Sequence, residues 1–130
     1  MRLQNRVAIV TGAGSGIGQA IASLFAQEGA HIVVADRAPA RAEESAQQIQ
    51  ALGGQALAVT VDVTDQAGVN RMATVATERF GRVDLLVNNA AISQGDDILT
   101  FDEATWDLNL AVVLKSVYLC SKAVLPTMIQ

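Results

Sequence analysis

Residues 7–18 read VAIVTGAGSGIG, a short apolar run that passes directly into a glycine-rich turn. The run predicts a buried strand, because neither of its faces carries polar side chains. Apolar residues then recur at positions 17, 20, 21, 24 and 25, which is the spacing of one helix face, and Gly29 marks the end of that helix. The stretch therefore predicts a strand, a glycine turn and a helix in immediate succession.

The same alternation of strand and helix patterns continues along the chain. Further apolar strands are expected at residues 32–35, 57–63 and 83–87, each followed by a helical pattern. Pro39 suits the first turn of the second helix, and Thr64 or Asp65 suits the N-cap of the third. Because crossovers between parallel strands are right-handed, we predict an α/β fold: a Rossmann-like doubly wound parallel sheet of about four strands, in the order 3-2-1-4.

Composition favours one domain over residues 1–130 and argues against several classes of partner. The chain has 130 residues, of which 51% are hydrophobic, and a net charge of −4. No cluster of Lys or Arg stands out, so nucleic acid and acidic membranes are poor candidates. The single cysteine, Cys120, excludes an intramolecular disulfide, and no metal-ligand cluster is visible. We find neither a signal peptide nor an apolar run of membrane-spanning length, and we expect a cytoplasmic protein.

The glycine turn has the context required for binding a pyrophosphate. Gly12 permits a tight turn, Gly16 lets the backbone approach the phosphates, and Gly18 allows close packing of the helix on the sheet. Free N–H groups at the start of the helix, where Ser15 and Ile17 lie, would face the phosphates. The alternative is a glycine-rich turn that binds no ligand.

Asp36 ends the second predicted strand and is the candidate for ribose recognition. Its carboxylate can accept hydrogen bonds from both ribose hydroxyls of an adenosine and would repel a 2′-phosphate, which favours NAD over NADP. Arg37 weakens this preference, since a guanidinium can serve a 2′-phosphate. The alternative is an ordinary solvated aspartate at a strand end.

Three further features carry a resemblance to a known family. The spacing Thr-Gly-x-x-x-Gly-x-Gly at residues 11–18 resembles that of the short-chain dehydrogenases/reductases, and residues 88–91, NNAA, resemble the family's Asn-Asn-Ala-Gly. Residues 106–126 resemble the helix that follows this motif. The resemblance implies hydride transfer between an alcohol or carbonyl substrate and nicotinamide. It places Asp62 and Val63, at the end of the third strand, near the adenine, and Asn89 and Ala90 near the nicotinamide-side ribose.

The chain departs from the family in length. Members run to roughly 250 residues in two mononucleotide-binding halves, so we expect this chain to lack the half with the catalytic Ser and the Tyr-x-x-x-Lys pair. Tyr118 and Lys122 do read Tyr-x-x-x-Lys, but Tyr118 lies only 29 residues after Asn89. The family places a further helix and a strand between those motifs. We therefore interpret Tyr118 and Lys122 as neighbours on an earlier helix and assign no catalytic residue.

A second departure concerns a proton relay. The family has an Asn seven residues after the Trp of this helix, and counting from Trp106 gives Val113. A valine side chain neither donates nor accepts a hydrogen bond. Asn109 lies one turn away, about 5–6 Å along the axis, which makes it a poor replacement. We expect Val113 to pack on the inner face of the helix.

The leading hypothesis is the cofactor-binding half of an NAD-dependent oxidoreductase that would act on a small alcohol or carbonyl substrate only when completed. A dinucleotide-binding module without catalysis, and a chain that needs a partner to supply the catalytic half, are the alternatives. A methyltransferase that uses S-adenosylmethionine is a further alternative on grounds of fold. It is a remote one, because Thr11 stands where such enzymes usually have an acidic residue. We also expect self-association through the bare edge of the fourth strand and through the last helix.

Overall fold

The computed structural model describes residues 1–95 and 97–130. Four parallel strands form one sheet in the order β3-β2-β1-β4, which confirms the predicted topology. The strands are β1 (Val7–Thr11), β2 (His31–Asp36), β3 (Gln55–Thr60) and β4 (Leu85–Val87). Strands β2 and β3 lie on one side of β1, and β4 lies on its other side. The carboxyl ends of β1 and β4 therefore flank a crevice.

Helices cover both faces of the sheet, as expected for a doubly wound fold. They are α1 (Gly16–Gln27), α2 (Pro39–Ala51), α3 (Gln66–Phe80), α4 (Glu103–Leu110) and α5 (Ser116–Met128), with a π-helical segment, Ala111–Lys115, between the last two. Helices α1 and α2 pack on one face of the sheet, and α3 and α5 pack on the other. Asp65 is the N-cap of α3 and accepts a hydrogen bond from the Gly68 amide.

The strands are apolar on both faces because each face carries its own core. Ala8 and Val10 of β1 point into the core shared with α1 and α2. Ile9 of the same strand points into the core shared with α3 and α5. All three side chains are fully buried. Consecutive residues on a strand face opposite sides, which explains why the run 7–10 shows no polar alternation.

Two strand boundaries differ from the sequence prediction. Strand β3 begins at Gln55 and ends at Thr60, three residues before the predicted end, because it pairs residue for residue with β2 and Thr60 lies opposite Asp36. Strand β4 is only three residues long and begins at Leu85, not at 83. The residue before it, Asp84, accepts hydrogen bonds from the Val7 amide at 2.9 Å and from two guanidinium groups.

These guanidinium groups belong to Arg6 and Arg82, at the amino ends of β1 and β4. Burial opposes ionisation of Asp84, but the Val7 amide and the two arginines outweigh it, so the pKa of Asp84 lies below its ordinary value. An ionised carboxylate therefore ties the start of β4 to β1.

The predicted inner face of α1 is only partly correct. Ile17 is 75% exposed and Leu24 is 53% exposed, whereas Gly18 and Ala22 are buried. Ile21 and Phe25, also on the predicted face, are partly buried and pack against the core that α1 shares with α2.

The last three helical segments form one continuous stretch, Glu103–Met128, which is long and apolar enough to cross a membrane by length and composition. This differs from the expectation that no apolar run of that length exists. Length and composition do not separate such a stretch from a core helix. One face of α5 packs against the sheet and α3 through Leu119, Cys120 and Val124. Burial raises the pKa of the Cys120 thiol to about 11.

Candidate functional site

A cleft of about 420 Å³ lies at the carboxyl ends of the strands. Its walls come from the glycine turn, the end of β2, the loop after β3 and the loop after β4. The lining residues are Gly12, Ser15, Gly16, Ile17, Ala35, Asp36, Arg37, Arg41, Val61, Asp62, Val63, Asn89, Ala90, Ala91, Ile92 and Val112. Nine of the ten site residues proposed from the sequence line this cleft; the tenth, Gly18, is buried in the first turn of α1.

Gly12 and Gly18 are needed where the glycine turn meets the loop after β4. Gly12 has a φ of +66°, and a Cβ there would lie 3.0 Å from the side-chain Nδ2 of Asn89. A Cβ on Gly18 would collide with the Gly12 carbonyl and with the Asn89 side chain. The absence of a side chain at Gly18 therefore lets the start of α1 lie close to the glycine turn and to the Asn89 side chain.

Gly16 is different, because open space and not protein faces it. Its φ is +56°, and a Cβ built on it would have no atom within 4 Å. The space beside Gly16 is the cleft itself, since Gly16 lines it. Any larger residue at this position would project into the cleft.

The amino terminus of α1 offers donors to this cleft. Ser15 is the N-cap, but its side chain makes no capping hydrogen bond, and the first turn contains no acidic residue. The Gln19 amide bonds to the Ser15 carbonyl at 3.2 Å. Within residues 1–95 and 97–130, the amides of Gly16, Ile17 and Gly18 have no acceptor in the protein. The positive end of the helix and these free N–H groups make the site attractive to an anion.

Asp36 stands at the end of β2 with both carboxylate oxygens held by backbone amides. Its Oδ2 accepts from the Gly14 amide and its Oδ1 accepts from the Ala38 amide, each at 2.9 Å. The Arg41 guanidinium lies 3.9 Å from Oδ1. Asp36 is only 8% exposed, so it is not the freely solvated strand-end aspartate considered above.

Gly14 and Arg41 are not among the residues singled out from the sequence. Arg41 lies on the first turn of α2, five positions after Asp36, and nothing in its local pattern indicates that it folds back toward the carboxylate. Gly14 occupies a variable position within the glycine motif, so spacing alone assigns it no role.

Thr11 joins the two sides of the cleft through its hydroxyl group. The hydroxyl donates to the Val87 carbonyl at 3.3 Å and accepts from the Asn89 and Ala90 amides at 3.1 and 3.0 Å. The Asn89 side-chain amide donates to the Thr11 and Gly12 carbonyls at 3.1 and 3.3 Å. This role of Thr11 was missed, although a polar residue at the end of an otherwise apolar strand is a signal for it.

Asp62 and Val63 lie beyond β3 and do not close it, which corrects the sequence prediction. Both line the cleft; Val63 is buried and Asp62 is exposed. The Asp62 carboxylate accepts from the Thr64 hydroxyl at 2.7 Å and from the Thr64 amide at 2.9 Å. These two hydrogen bonds lower the pKa of Asp62, and the positive charge of Arg37 acts in the same direction.

Tyr118 and Lys122 lie outside the cleft lining. The Lys122 ammonium group donates to the Tyr118 hydroxyl at 3.3 Å, as expected for helix neighbours four positions apart. Tyr118 is 58% exposed and borders a separate surface groove with Leu114 and Val117. The cleft therefore receives neither side chain.

The expected inward packing of Val113 is wrong. Val113 is 47% exposed, whereas its neighbour Val112 is buried and lines the cleft. Val112 and Ser116 are both buried on the inner face, and Val113, the next residue within the π-helical segment, points away from that face. Asn109 is occupied elsewhere: its side-chain amide donates to the carbonyls of Gln94 at 3.0 Å and Thr105 at 2.8 Å.

A doubly wound parallel sheet with a glycine turn and an acidic residue at the end of β2 defines the class of nucleotide-binding α/β folds. The family model described as "short chain dehydrogenase" matches residues 6–130. The chain belongs to the short-chain dehydrogenase family. Enzymes of this family are oxidoreductases that bind a nicotinamide dinucleotide.

Individual relatives agree with this assignment. The BbsD subunit of (2S)-[(R)-hydroxy(phenyl)methyl]succinyl-CoA dehydrogenase from Thauera aromatica is 35% identical, over 100% of this chain and 52% of its own. A hydroxysteroid dehydrogenase from Escherichia coli is 37% identical with a TM-score of 0.92, over 98% of this chain and 54% of its own. A metagenomic short-chain oxidoreductase in complex with NADP has the same identity and TM-score, over 99% and 59%. The chain spans about half the length of the curated relatives it matches.

Proposed function

We propose that this chain is the cofactor-binding half of an NAD-dependent short-chain dehydrogenase/reductase, which moves a hydride between an alcohol or carbonyl substrate and nicotinamide. The observation that carries the proposal is the cleft itself. It combines free amides at the start of α1 with a buried carboxylate at the end of β2 and with an open position at Gly16. When bound, the dinucleotide supplies the hydride acceptor or donor.

The residues of the cleft divide into parts that fit the parts of a dinucleotide. The amides of residues 16–18 suit the pyrophosphate, with Gly12 and Ser15 shaping the turn. Asp36 retains unused lone pairs on both oxygens and suits the adenosine ribose. Asp62 and Val63 would flank the adenine, and Asn89 and Ala90 would lie by the nicotinamide-side ribose.

NAD is expected to bind more tightly than NADP by about 1.5–3 kcal/mol, because Asp36 accepts from ribose hydroxyls and repels a 2′-phosphate. Replacing Asp36 with alanine should narrow this gap. Calorimetric titration of both cofactors measures it. Asp107→Ala, which removes the same charge from the exposed face of α4, is the matched control and should leave the gap unchanged.

Arg37 and Arg41 make this a demanding test, since both line the cleft and both can attract a 2′-phosphate. The buried position of Asp36 decides for NAD in our proposal, because a dianionic phosphate beside a buried carboxylate is strongly disfavoured. Equal or tighter binding of NADP by the unmodified chain would contradict the preference.

A second candidate function is dinucleotide binding without catalysis, and the position of Tyr118 favours it for this chain. With NAD and a panel of primary and secondary alcohols, we expect no measurable formation of NADH, because the cleft receives neither Tyr118 nor Lys122. Absorbance of NADH measures this. Turnover that disappears in Tyr118→Phe would make Tyr118 the base and contradict the interpretation.

A related experiment distinguishes a chain that needs a partner from a binding module without catalysis. Activity that appears only when a separately expressed second half is added would support a chain that needs a partner. Binding of NAD with no turnover under either condition would support a binding module.

The chain is also expected to self-associate at micromolar concentration. Strand β4 is an edge strand among the described residues, and Leu114 and Tyr118 on the last helix are 67% and 58% exposed. Sedimentation velocity of Leu114→Glu should show more monomer than the wild type does, whereas Leu52→Glu, at a still more exposed leucine after α2, should not. A concentration-independent monomer that unfolds cooperatively above about 60 °C would contradict the expectation.

A further inference from the structure

Gly14 has no backbone reason to be glycine. Its neighbours in the turn, Gly12 and Gly16, adopt positive φ angles, but Gly14 does not. The left-handed conformation that favours glycine is therefore not what requires glycine at this position. What excludes a side chain at this position is the space around it.

That space is filled by the carboxylate of Asp36 and by the start of α2. A Cβ on Gly14 would lie 2.7 Å from the Asp36 Oδ2 and 2.8 Å from the Arg41 Cβ. The Arg41 Cβ is fixed to the helix backbone and cannot rotate away. The Asp36 carboxylate is buried and held by two backbone hydrogen bonds, one of them from the Gly14 amide itself. A methyl group at position 14 would force one of these groups to move.

Two further contacts hold α2 against the turn. The buried Ser45 hydroxyl on α2 donates to the Ala13 carbonyl at 2.9 Å, and the Ala13 amide donates to the Ala35 carbonyl at 3.1 Å. The turn, the end of β2 and the start of α2 thus form one packed unit around the Asp36 carboxylate. Moving α2 far outward would break the Ser45 contact, so we expect a small displacement at the Arg41 Cβ and the larger shift at the carboxylate.

We propose that Gly14 is a specificity-determining positioning residue. Because it has no side chain, the Asp36 carboxylate keeps the position in which it can accept hydrogen bonds from a ribose diol. The inference rests on the proposed function and deepens it. Gly14 acts through Asp36, so its effect falls on the cofactor that uses the carboxylate. NAD presents both ribose hydroxyls, whereas NADP has a phosphate on one of them.

The test compares NAD and NADP binding by the wild type, Gly14→Ala and Gly68→Ala. Gly68 is the matched control, because its amide also donates to a carboxylate, Asp65, and its Cβ would lie 3.0 Å from that carboxylate, but it is in α3 and outside the cleft. Gly14→Ala should weaken NAD binding about tenfold, the cost of one charge-assisted hydrogen bond, and NADP binding less than about threefold. Gly68→Ala should change neither by more than about twofold.

A double-mutant cycle with Asp36→Ala shows whether Gly14 acts through the carboxylate. In the Asp36→Ala background, adding Gly14→Ala should no longer weaken NAD binding. An equal loss for both cofactors in Gly14→Ala, or the same loss of NAD binding without Asp36, would overturn the inference and leave the proposed function intact. Failure of the wild type to bind either cofactor would overturn both.

If the Gly14→Ala chain folds too poorly for binding to be measured, its thermal unfolding tests the same inference. Removing the carboxylate relieves the shorter of the two contacts and leaves the one with the Arg41 Cβ, so adding Gly14→Ala should lower the unfolding temperature less in the Asp36→Ala background than in the wild type. An equal or larger lowering in the Asp36→Ala background would overturn the inference, because the alanine would then be excluded by the Arg41 Cβ and not by Asp36.

Discussion

Valine at position 16 should abolish dinucleotide binding and leave the fold in place. The left-handed backbone of Gly16 costs a side-chain-bearing residue about 1–2 kcal/mol, but no protein atom lies within 4 Å of the new Cβ. The branched side chain would instead fill the part of the cleft beside the free amides at the start of α1. A pyrophosphate could then no longer reach those amides.

Gly53→Val is the matched control for this prediction. Gly53 also has a positive φ, +88°, and no atom within 4 Å of an added Cβ, but it follows α2 and does not line the cleft. The two variants should lose similar stability by thermal unfolding followed by circular dichroism, and only Gly16→Val should lose NAD binding by titration. Unchanged affinity in Gly16→Val would refute the assignment of this turn to the phosphates.

Thr11→Val is expected to destabilise the chain by about 2–4 kcal/mol, although the two side chains have nearly the same shape. The Thr11 hydroxyl serves the Asn89 and Ala90 amides and the Val87 carbonyl, and a methyl group would leave these groups without their partner. The loop after β4 forms one wall of the cleft, so NAD affinity should fall as well.

Thr60→Val provides the control, because Thr60 also ends a strand but is exposed. Denaturation in urea measures the free energy of unfolding of both variants. The result would contradict the bridging role if Thr11→Val lost no more stability than Thr60→Val, or if its NAD affinity were unchanged.

The order of the strands could be predicted because it follows from local patterns and handedness. Buried runs such as 7–10 identify the strands, and right-handed crossovers leave few arrangements of four of them. Strand ends could not be predicted so well, because pairing sets them. The end of β3 at Thr60 is determined by the end of β2 opposite it, and the start of β4 follows the side-chain contacts of Asp84.

The residues of the candidate site also differ in whether local sequence or distant contacts determine their roles. Gly12, Gly16 and Asp36 could be predicted, because each is marked by its spacing within one strand–turn–helix unit. Thr11 and Gly14 were missed, since their roles arise from contacts with residues that lie far away in the sequence. Val113 was misplaced because counting from a motif gives a position along a helix but not the direction in which the side chain points.

The buried thiol of Cys120 gives the chain a natural reporter. Cys120 is the only cysteine in the sequence, and it lies in the core between α5, α3 and the sheet. With a pKa of about 11 and no solvent exposure, it is protonated near neutral pH and hidden from alkylating reagents while α5 stays docked. The rate at which the Cys120 sulfur is alkylated therefore measures how often the last helix opens, in an unaltered chain and without any introduced probe.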